Sequence, residues 1–167
     1  MGLFSFIKEA GEKLFGGKEV EAAAAQAASD PQAKPSLDAL NDKAARAIEN
    51  YIASQKLGVE GVRVEYDGAT GTVTVSGQAP SQEALEKVTL CCGNVASVKQ
   101  VNNLMAVASP EPEAQYHDVV RGDTLSAIAK KYYGDANKYP KIFEANKPML
   151  SHPDKIYPGQ KLRIPAL

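Results

Sequence analysis

The sequence has no tryptophan and only two cysteines, and none of its apolar runs approaches the ~20 residues that a membrane-spanning helix requires. The two cysteines are neighbours, Cys91 and Cys92. Neighbouring residues on a helix point in different directions, so an ordinary disulfide between them is geometrically poor. No metal-binding motif surrounds them, and both histidines are far away in the sequence. We therefore expect free thiols that serve as small apolar residues, which fits a reducing compartment.

The N-terminal residues do not match an export signal. A secretory signal places positive charge first and then an uninterrupted apolar stretch of ~7–15 residues. Here the apolar run Leu3–Ile7 is broken at once by Lys8 and Glu9. The start also fails the N-myristoylation pattern, because Phe6 stands where Ser or Thr is required. The sequence therefore predicts a cytoplasmic protein.

Patterns for catalysis and for nucleic-acid binding are also missing. The sequence has no Ser/His/Asp or Cys/His spacing, no phosphate-binding glycine loop and no paired carboxylates in a recognisable frame, so we expect a protein that is not an enzyme. A net charge of −1 gives no general affinity for nucleic acid. The charge is uneven, however, with a net of +4 over residues 116–167 and −2 over residues 36–108. Opposite signs indicate two domains and are compatible with docking of one on the other.

Residues 1–17 predict a short amphipathic helix. Leu3, Ile7, Ala10 and Leu14 repeat at helical spacing, with charged residues on the other face. Such a helix can lie on a membrane or dock onto the protein itself. Its polar face mixes both signs of charge instead of being basic, which favours docking onto the domain that follows.

The rest of the chain predicts an α+β protein with two small domains. Residues 18–35 are rich in alanine and end with two prolines, which predicts a linker that is partly helical at Val20–Ala28. In residues 36–108 helical spacing gives way to alternating valines around "YDGATG", then to a second helix and a third strand, in the order α-β-β-α-β. A proline- and acid-rich linker occupies 109–115, and residues 116–167 predict the order β-α-α-β.

The C-terminal unit resembles the LysM family over its whole length, through "YHDVVRGDTLSAIAKKYYGD", "IFEANKPM" and "KIYPGQKLRIP" in that order. The resemblance implies a shallow groove that binds chains containing N-acetylglucosamine, between the loop after the first strand and the loop before the last. The residues that it places there are Gly122, Asp123, Thr124, Leu125, Ile156 and Tyr157.

The preceding unit resembles the BON domain, through "VRVEYDGATGTVTVSGQAPSQEALEKV" and "CCGNVASVKQVNNLMAV". The resemblance implies that a helix packs on the sheet and that Gly77 lies at the end of the second strand. The order of N-terminal segment, BON domain and LysM domain is similar to that of a family of bacterial cytoplasmic potassium-binding proteins. That similarity implies a monomeric sensor or buffer that binds K⁺, or Rb⁺ or Cs⁺ in its place, without an organic cofactor. It also implies compaction on binding, with the LysM domain packed against the BON domain.

A potassium site is chemically reasonable in such a chain. Potassium is a large, weakly hydrated cation, and backbone carbonyls can replace its hydration shell without an acidic cluster. The helix that ends at Cys92-Gly93 leaves carbonyls unpaired at the negative end of its dipole. By resemblance, the carbonyls expected to bind the ion are those of Ile7, Ala10, Gly93, Val95 and Val98.

Two other functions remain open from the sequence. The first is a peptidoglycan-binding adaptor that acts through the LysM groove and uses its BON domain to recruit envelope partners. The second is a stress-response scaffold without a ligand. The missing export signal favours the potassium-binding function over the adaptor.

Overall fold

The computed structural model describes residues 3–5 and 17–167 of the chain. The predicted α+β class with two small domains is confirmed, and each domain has its own hydrophobic core. The helices and strands, in chain order, are β1 (Leu3–Ser5), α1 (Gly17–Ser29), α2 (Lys34–Ser54), β2 (Glu60–Asp67), β3 (Thr72–Ala79), α3 (Gln82–Gly93), β4 (Gln100–Asn103), β5 (Ala106–Val107), β6 (Gln115–Asp118), α4 (Leu125–Tyr133), α5 (Tyr139–Ala145) and β7 (Lys161–Ile164).

The first domain is built on a sheet in the order β1-β4-β3-β2, with β5 also paired to β3. The strands β2 and β3 form the predicted antiparallel hairpin, whereas β3 and β4 run parallel because α3 carries the chain back between them. Alternating valines give the sheet its buried face, since Val73 and Val75 of β3 both point into the core and are fully buried. The helices α2 and α3 pack on the sheet.

The segment at 18–35 is more ordered than the predicted linker. Its alanine-rich part forms helix α1, which packs against α2, and Val20 is buried in the first core. The Val20 side chain lies directly against Gly68 in the turn between β2 and β3. The main-chain N–H of Gly68 also donates a hydrogen bond to Oδ1 of Asn41 on α2, at 3.0 Å. Alanine supplies the helical propensity, and the one buried valine fixes the helix to the domain.

The N-terminal residues differ from the prediction where they are described. Leu3–Ser5 do not continue a helix but form the strand β1, which pairs antiparallel with β4 so that Ser5 lies opposite Gln100. Pairing satisfies main-chain groups that β4 would otherwise leave open at the sheet edge. The remainder of the predicted amphipathic helix, residues 6–16, lies outside the described residues.

The second domain packs α4 and α5 against the two-stranded antiparallel sheet of β6 and β7. Helix α4 begins where the Thr124 side chain accepts a hydrogen bond from the Ala127 N–H, and it ends at Gly134, whose φ of 75° is left-handed. Its apolar stripe, with Leu125 and Ile128, is buried in the second core. Across the described residues, no helix is long and apolar enough to cross a bilayer.

Candidate cation site and the domain junction

The helix α3 connects the features from which a site can be built. The Ser81 side chain caps its N-terminus by accepting a hydrogen bond from the Ala84 N–H at 3.1 Å. At the other end, the N–H of Asn94 returns to the carbonyl oxygen of Leu90 at 3.0 Å, and the helix stops at Gly93. The end of the helix is therefore well defined, and the negative end of its dipole lies at the start of the next loop.

That loop, residues 94–98, folds back on itself. The N–H of Val98 donates to the carbonyl oxygen of Val95 at 3.2 Å, and both valine side chains are fully buried. Between them Ser97 has a φ of 77°, the left-handed conformation that non-glycine residues seldom adopt. The buried valines hold the loop against the core, and the left-handed residue makes its return possible.

The hairpin of β2 and β3 supports the loop from the side. The Tyr66 hydroxyl donates to the carbonyl oxygen of Ser97 at 3.3 Å. Burial, together with the negative charges of Glu21 and Asp67, raises the pKa of Tyr66 to about 12, so this hydroxyl keeps its proton at neutral pH. The Ser97 carbonyl therefore accepts its hydrogen bond from a neutral hydroxyl group.

Gly71 anchors the far end of the loop. Its carbonyl oxygen accepts hydrogen bonds from the N–H groups of Lys99 and Gln100, at 2.7 Å and 3.2 Å. The Lys99 chain crosses Gly71, because a Cβ placed on the glycine would lie 2.9 Å from the Cγ of the lysine. Lys99 as a whole is exposed, so it follows the surface of the hairpin.

Three of the five residues whose carbonyls are predicted to bind the ion belong to this loop and to the helix end that precedes it. Gly93 ends α3, and Val95 and Val98 are joined by the hydrogen bond described above. The Val95 oxygen can still meet a cation, since a carbonyl has two lone pairs. Ile7 and Ala10 lie outside the described residues, so the proposed ligand set stays a prediction. Among the described residues, no group of three or more His, Cys, Asp or Glu side chains is placed to hold a metal ion.

The loop also touches the second domain. The side-chain amide of Asn94 donates to the carbonyl oxygen of Lys161 and accepts from its N–H, both at 3.0 Å. This pair of hydrogen bonds joins the loop after α3 to the strand β7 of the second domain.

A buried ion pair lies further along the same junction. Glu86, in the middle of α3 and only 2% exposed, pairs through Oε2 with Nε of Arg163 on β7. Its other oxygen, Oε1, accepts hydrogen bonds from the Ala114 N–H at 3.1 Å and from the Gln82 side chain at 3.2 Å. The carboxylate is thus shared between the two domains and the segment that connects them.

Five of the six residues predicted to line the LysM groove have structural partners in this protein, namely Asp123, Thr124, Leu125, Ile156 and Tyr157. The sixth, Gly122, takes a left-handed φ of 92°. Asp123 accepts hydrogen bonds from the Val120 N–H at 3.0 Å and pairs with the His117 ring at 2.7 Å, and Leu125 belongs to the second core. Burial opposes the charge of Asp123, but the hydrogen bonds from His117 and Val120 outweigh it and lower the pKa of the carboxyl. The partly buried Ile156 packs against the second core. These contacts explain the residues without a glycan, and their binding role stays a prediction.

Sequence reasoning missed Glu86, Asn94 and Arg163, the side chains that join the domains. Asn94 follows the predicted helix end at Cys92-Gly93 and is typical of such an end, and the charged pair belongs to no motif. One signal was present, however. Helix α3 is apolar almost all round in its second half, and such a helix is covered on more than one side. The first sheet covers one side, and β7 contacts the helix as well.

Comparisons with known proteins match both domains. The model of the BON domain matches residues 40–109, and the model of the LysM domain matches residues 117–165. Over 166 residues the chain is 45% identical to "Potassium binding protein Kbp" of Escherichia coli O6:H1, strain CFT073, with 99% of each chain covered.

Shorter matches are also found. The chain is 45% identical over 53 residues to an esterase of Mycobacterium tuberculosis, strain H37Rv, covering 32% of this chain and 11% of the esterase. It is 41% identical over 58 residues to the protein YqbP of Bacillus subtilis, strain 168, covering 29% of this chain and 26% of that protein. Each of these matches covers about a third of this chain. The full-length match, with both domains in the same order, confirms the resemblance noted from the sequence: the chain belongs to the family of the potassium-binding protein Kbp.

Proposed function

We propose that this protein binds K⁺ in the cytoplasm as a sensor or buffer and that it is not an enzyme. The observation that carries the proposal is the 45% identity, over 99% of both chains, to a protein whose name states potassium binding. In this proposal the ion is held by main-chain carbonyls of Ile7, Ala10, Gly93, Val95 and Val98. Rb⁺ and Cs⁺, which are larger and more weakly hydrated, replace it.

The geometry of the loop supports this assignment. The loop begins at the negative end of α3, and its carbonyls at Gly93 and Val95 are held by a rigid buried backbone. Ser5 at the end of β1 lies opposite Gln100, two positions after Val98, so the N-terminal strand ends beside the loop. A weakly hydrated cation suits such a site, since carbonyl dipoles at fixed positions replace its water shell.

We further propose that the protein becomes more compact when the ion binds, as a monomer with the LysM domain held against the BON domain. The hydrogen bonds of Asn94 to Lys161 support this step because they start from the loop itself. The pair of Glu86 and Arg163 supports it further along α3.

Thermal unfolding in potassium-free buffer tests the proposal. KCl is titrated against NaCl at matched ionic strength, and the midpoint of unfolding is recorded. A ligand at ~100 times its dissociation constant adds about 2.7 kcal/mol to the free energy of unfolding. At about 4–8 °C per kcal/mol for a domain of roughly 60–100 residues, this raises the unfolding midpoint by about 11–22 °C. We expect this rise with K⁺ and not with Na⁺, and equal curves would refute the proposal.

A pair of variants at Ser97 tests whether the loop carries the site. Ser97→Val puts a β-branched side chain at a left-handed φ and deforms the loop, whereas Ser97→Gly adopts that φ without strain. Neither change alters the predicted carbonyls. We expect the valine variant to lose most of the K⁺-dependent rise and the glycine variant to keep it. A rise of the same size in both would place the ion elsewhere.

The glycan-binding function is tested by a second titration with the same measurement of thermal unfolding. If K⁺ and Na⁺ give equal curves, chitooligosaccharides are titrated next, and a rise in the midpoint of the second domain would favour a LysM-based adaptor. The groove residues Gly122 and Tyr157 would then be the positions to substitute.

A further inference from the structure

The strand β7 is an edge strand whose outer side is closed by two asparagines. Its hydrogen bonds to β6 leave the main-chain groups of Lys161 and Arg163 pointing away from that partner. Asn146, from the same domain, bonds both groups of Arg163, at 2.9 Å and 2.8 Å. Asn94, from the other domain, bonds both groups of Lys161, each at 3.0 Å. One half of the edge is therefore satisfied within the LysM domain and the other half by the BON domain.

Asn94 is held at both ends. Its main-chain N–H donates to the carbonyl oxygen of Leu90, which caps α3, and its side chain is fixed on Lys161. Its two neighbours, Gly93 and Val95, carry carbonyls of the proposed potassium site. Because an asparagine side chain is short, a shift of the main chain at 93–95 breaks the bonds to Lys161, and release of Lys161 frees the main chain to shift.

We propose that Asn94 couples cation binding to docking of the LysM domain, so that each strengthens the other. This inference rests on the proposed function, because it concerns the same loop. Coupling between two binding events is reciprocal: the factor by which K⁺ tightens docking equals the factor by which docking tightens K⁺ binding. Asn94 acts as a positioning residue, since it fixes the carbonyls on either side of it and its side chain does not bind the ion.

The strand β7 provides an internal control for this inference. The N–H of Lys161 is protected by the BON domain through Asn94, and the N–H of Arg163 is protected within the LysM domain through Asn146. Undocking therefore exposes the first amide and leaves the second protected. Hydrogen exchange measured residue by residue in the full chain distinguishes coupled docking from a general rise in stability.

The experiment compares amide exchange in KCl and in NaCl at matched ionic strength. We expect K⁺ to slow exchange at Lys161 roughly tenfold more than at Arg163, which lies within the usual range of coupling between sites. In Asn94→Ala we expect K⁺ affinity to fall roughly tenfold and the extra protection of Lys161 to disappear. Asn50→Ala, an exposed asparagine on α2, is the matched control and should behave as the unsubstituted protein.

The outcomes separate this inference from the proposed function. If K⁺ raises the unfolding midpoint of the unsubstituted protein but Lys161 and Arg163 respond alike, the coupling through Asn94 is refuted and the potassium site stands. Unchanged K⁺ affinity in a folded Asn94→Ala would refute it equally. If K⁺ has no effect on the midpoint of the unsubstituted protein, the proposed function itself fails. The exchange comparison needs no variant, so it decides the matter even if Asn94→Ala does not fold.

Discussion

The buried pair between Glu86 and Arg163 allows a prediction with a worked magnitude. Glu86 is 2% exposed, and the side chain of Arg163 is 12% exposed, so both charges are removed from water. Replacing Arg163 with methionine keeps an apolar chain of similar length but leaves the carboxylate buried without its counter-charge. Breaking such a pair by removing one partner costs about 3–5 kcal/mol. The remaining hydrogen bonds to Glu86 come from Ala114 and Gln82, which are neutral donors and supply no counter-charge.

The double variant Glu86→Gln with Arg163→Met completes the cycle. Without a charge at either position the desolvation penalty disappears, so we expect the double variant to be more stable than Arg163→Met alone by about 2 kcal/mol or more. Urea unfolding followed by circular dichroism gives the free energies, with equal slopes required before the midpoints are compared. If the two domains unfold separately, each transition is fitted by itself.

An exposed ion pair in the same protein serves as the control. Lys147 and Glu144 lie 2.8 Å apart on the LysM domain, with 45% and 66% of their side chains exposed. Lys147→Met should therefore cost under about 1 kcal/mol. If Arg163→Met costs no more than Lys147→Met, and the double variant is additive, the pair is solvated in solution. The docking of the LysM domain on α3 would then be refuted.

Three further predictions follow from single sites. Gly77→Ala should lower the free energy of unfolding by about 2 kcal/mol in urea unfolding, since φ is 140° and a Cβ would lie 2.8 Å from a main-chain oxygen of β2; an unchanged midpoint would contradict this. Cys91 and Cys92 should react with a thiol reagent far more slowly in the native protein than in urea, because burial raises the pKa of Cys91 to about 12 and holds that of Cys92 well above its ordinary value. Labelling at equal rates in the two conditions would refute this. Because the pKa of Asp123 is lowered in the folded protein, its carboxylate adds stability at pH values above its ordinary pKa of 3.8, and this stability is lost as the pH falls through the folded-state pKa. In thermal unfolding, Asp123→Asn should therefore be less stable than the unsubstituted protein at pH 7 and should lose less stability on acidification. Parallel pH profiles of the two proteins would exclude this role for the pair with His117.

The elements that hydrophobic spacing describes well were predictable from the sequence. Alternation in "VRVEYDGATGTVTVSG" predicts the hairpin of β2 and β3, because residues that alternate in type alternate in direction on a strand. The LysM unit was predictable because its turn and cap residues recur at set separations. Thr124 at the start of α4 and Gly134 at its end take the cap geometry that threonine and glycine favour at those positions. In the hairpin and at the helix caps, residues close together in the sequence determine the structure, so the sequence pattern predicts it.

The segments that depend on distant contacts were not predictable in this way. Alanine-rich composition is compatible with a linker and with a helix, and only the contact of Val20 with Gly68, far along the chain, decides for a packed α1. Leu3–Ser5 pair with β4 because an open strand edge lies beside them, and helical spacing in the sequence contains no information about that edge. Asn94 is informative only once the main-chain groups of Lys161 are known to face it.

A site made of main-chain carbonyls presents the same difficulty in its strongest form, because every residue has a carbonyl and no side-chain pattern marks the ones that meet. What the sequence does predict is the secondary structure that positions these carbonyls. In this chain the scaffold is a single helix of 12 residues, α3, about 18 Å long. Glu86 in its middle and Asn94 just past its end both hold β7, while Gly93 at its end begins the candidate loop. A rigid element that is fixed to the LysM domain at two points and ends in the loop cannot shift at one place alone. The LysM domain therefore has a structural role in this protein that needs no glycan: it holds the helix at whose end the candidate loop begins.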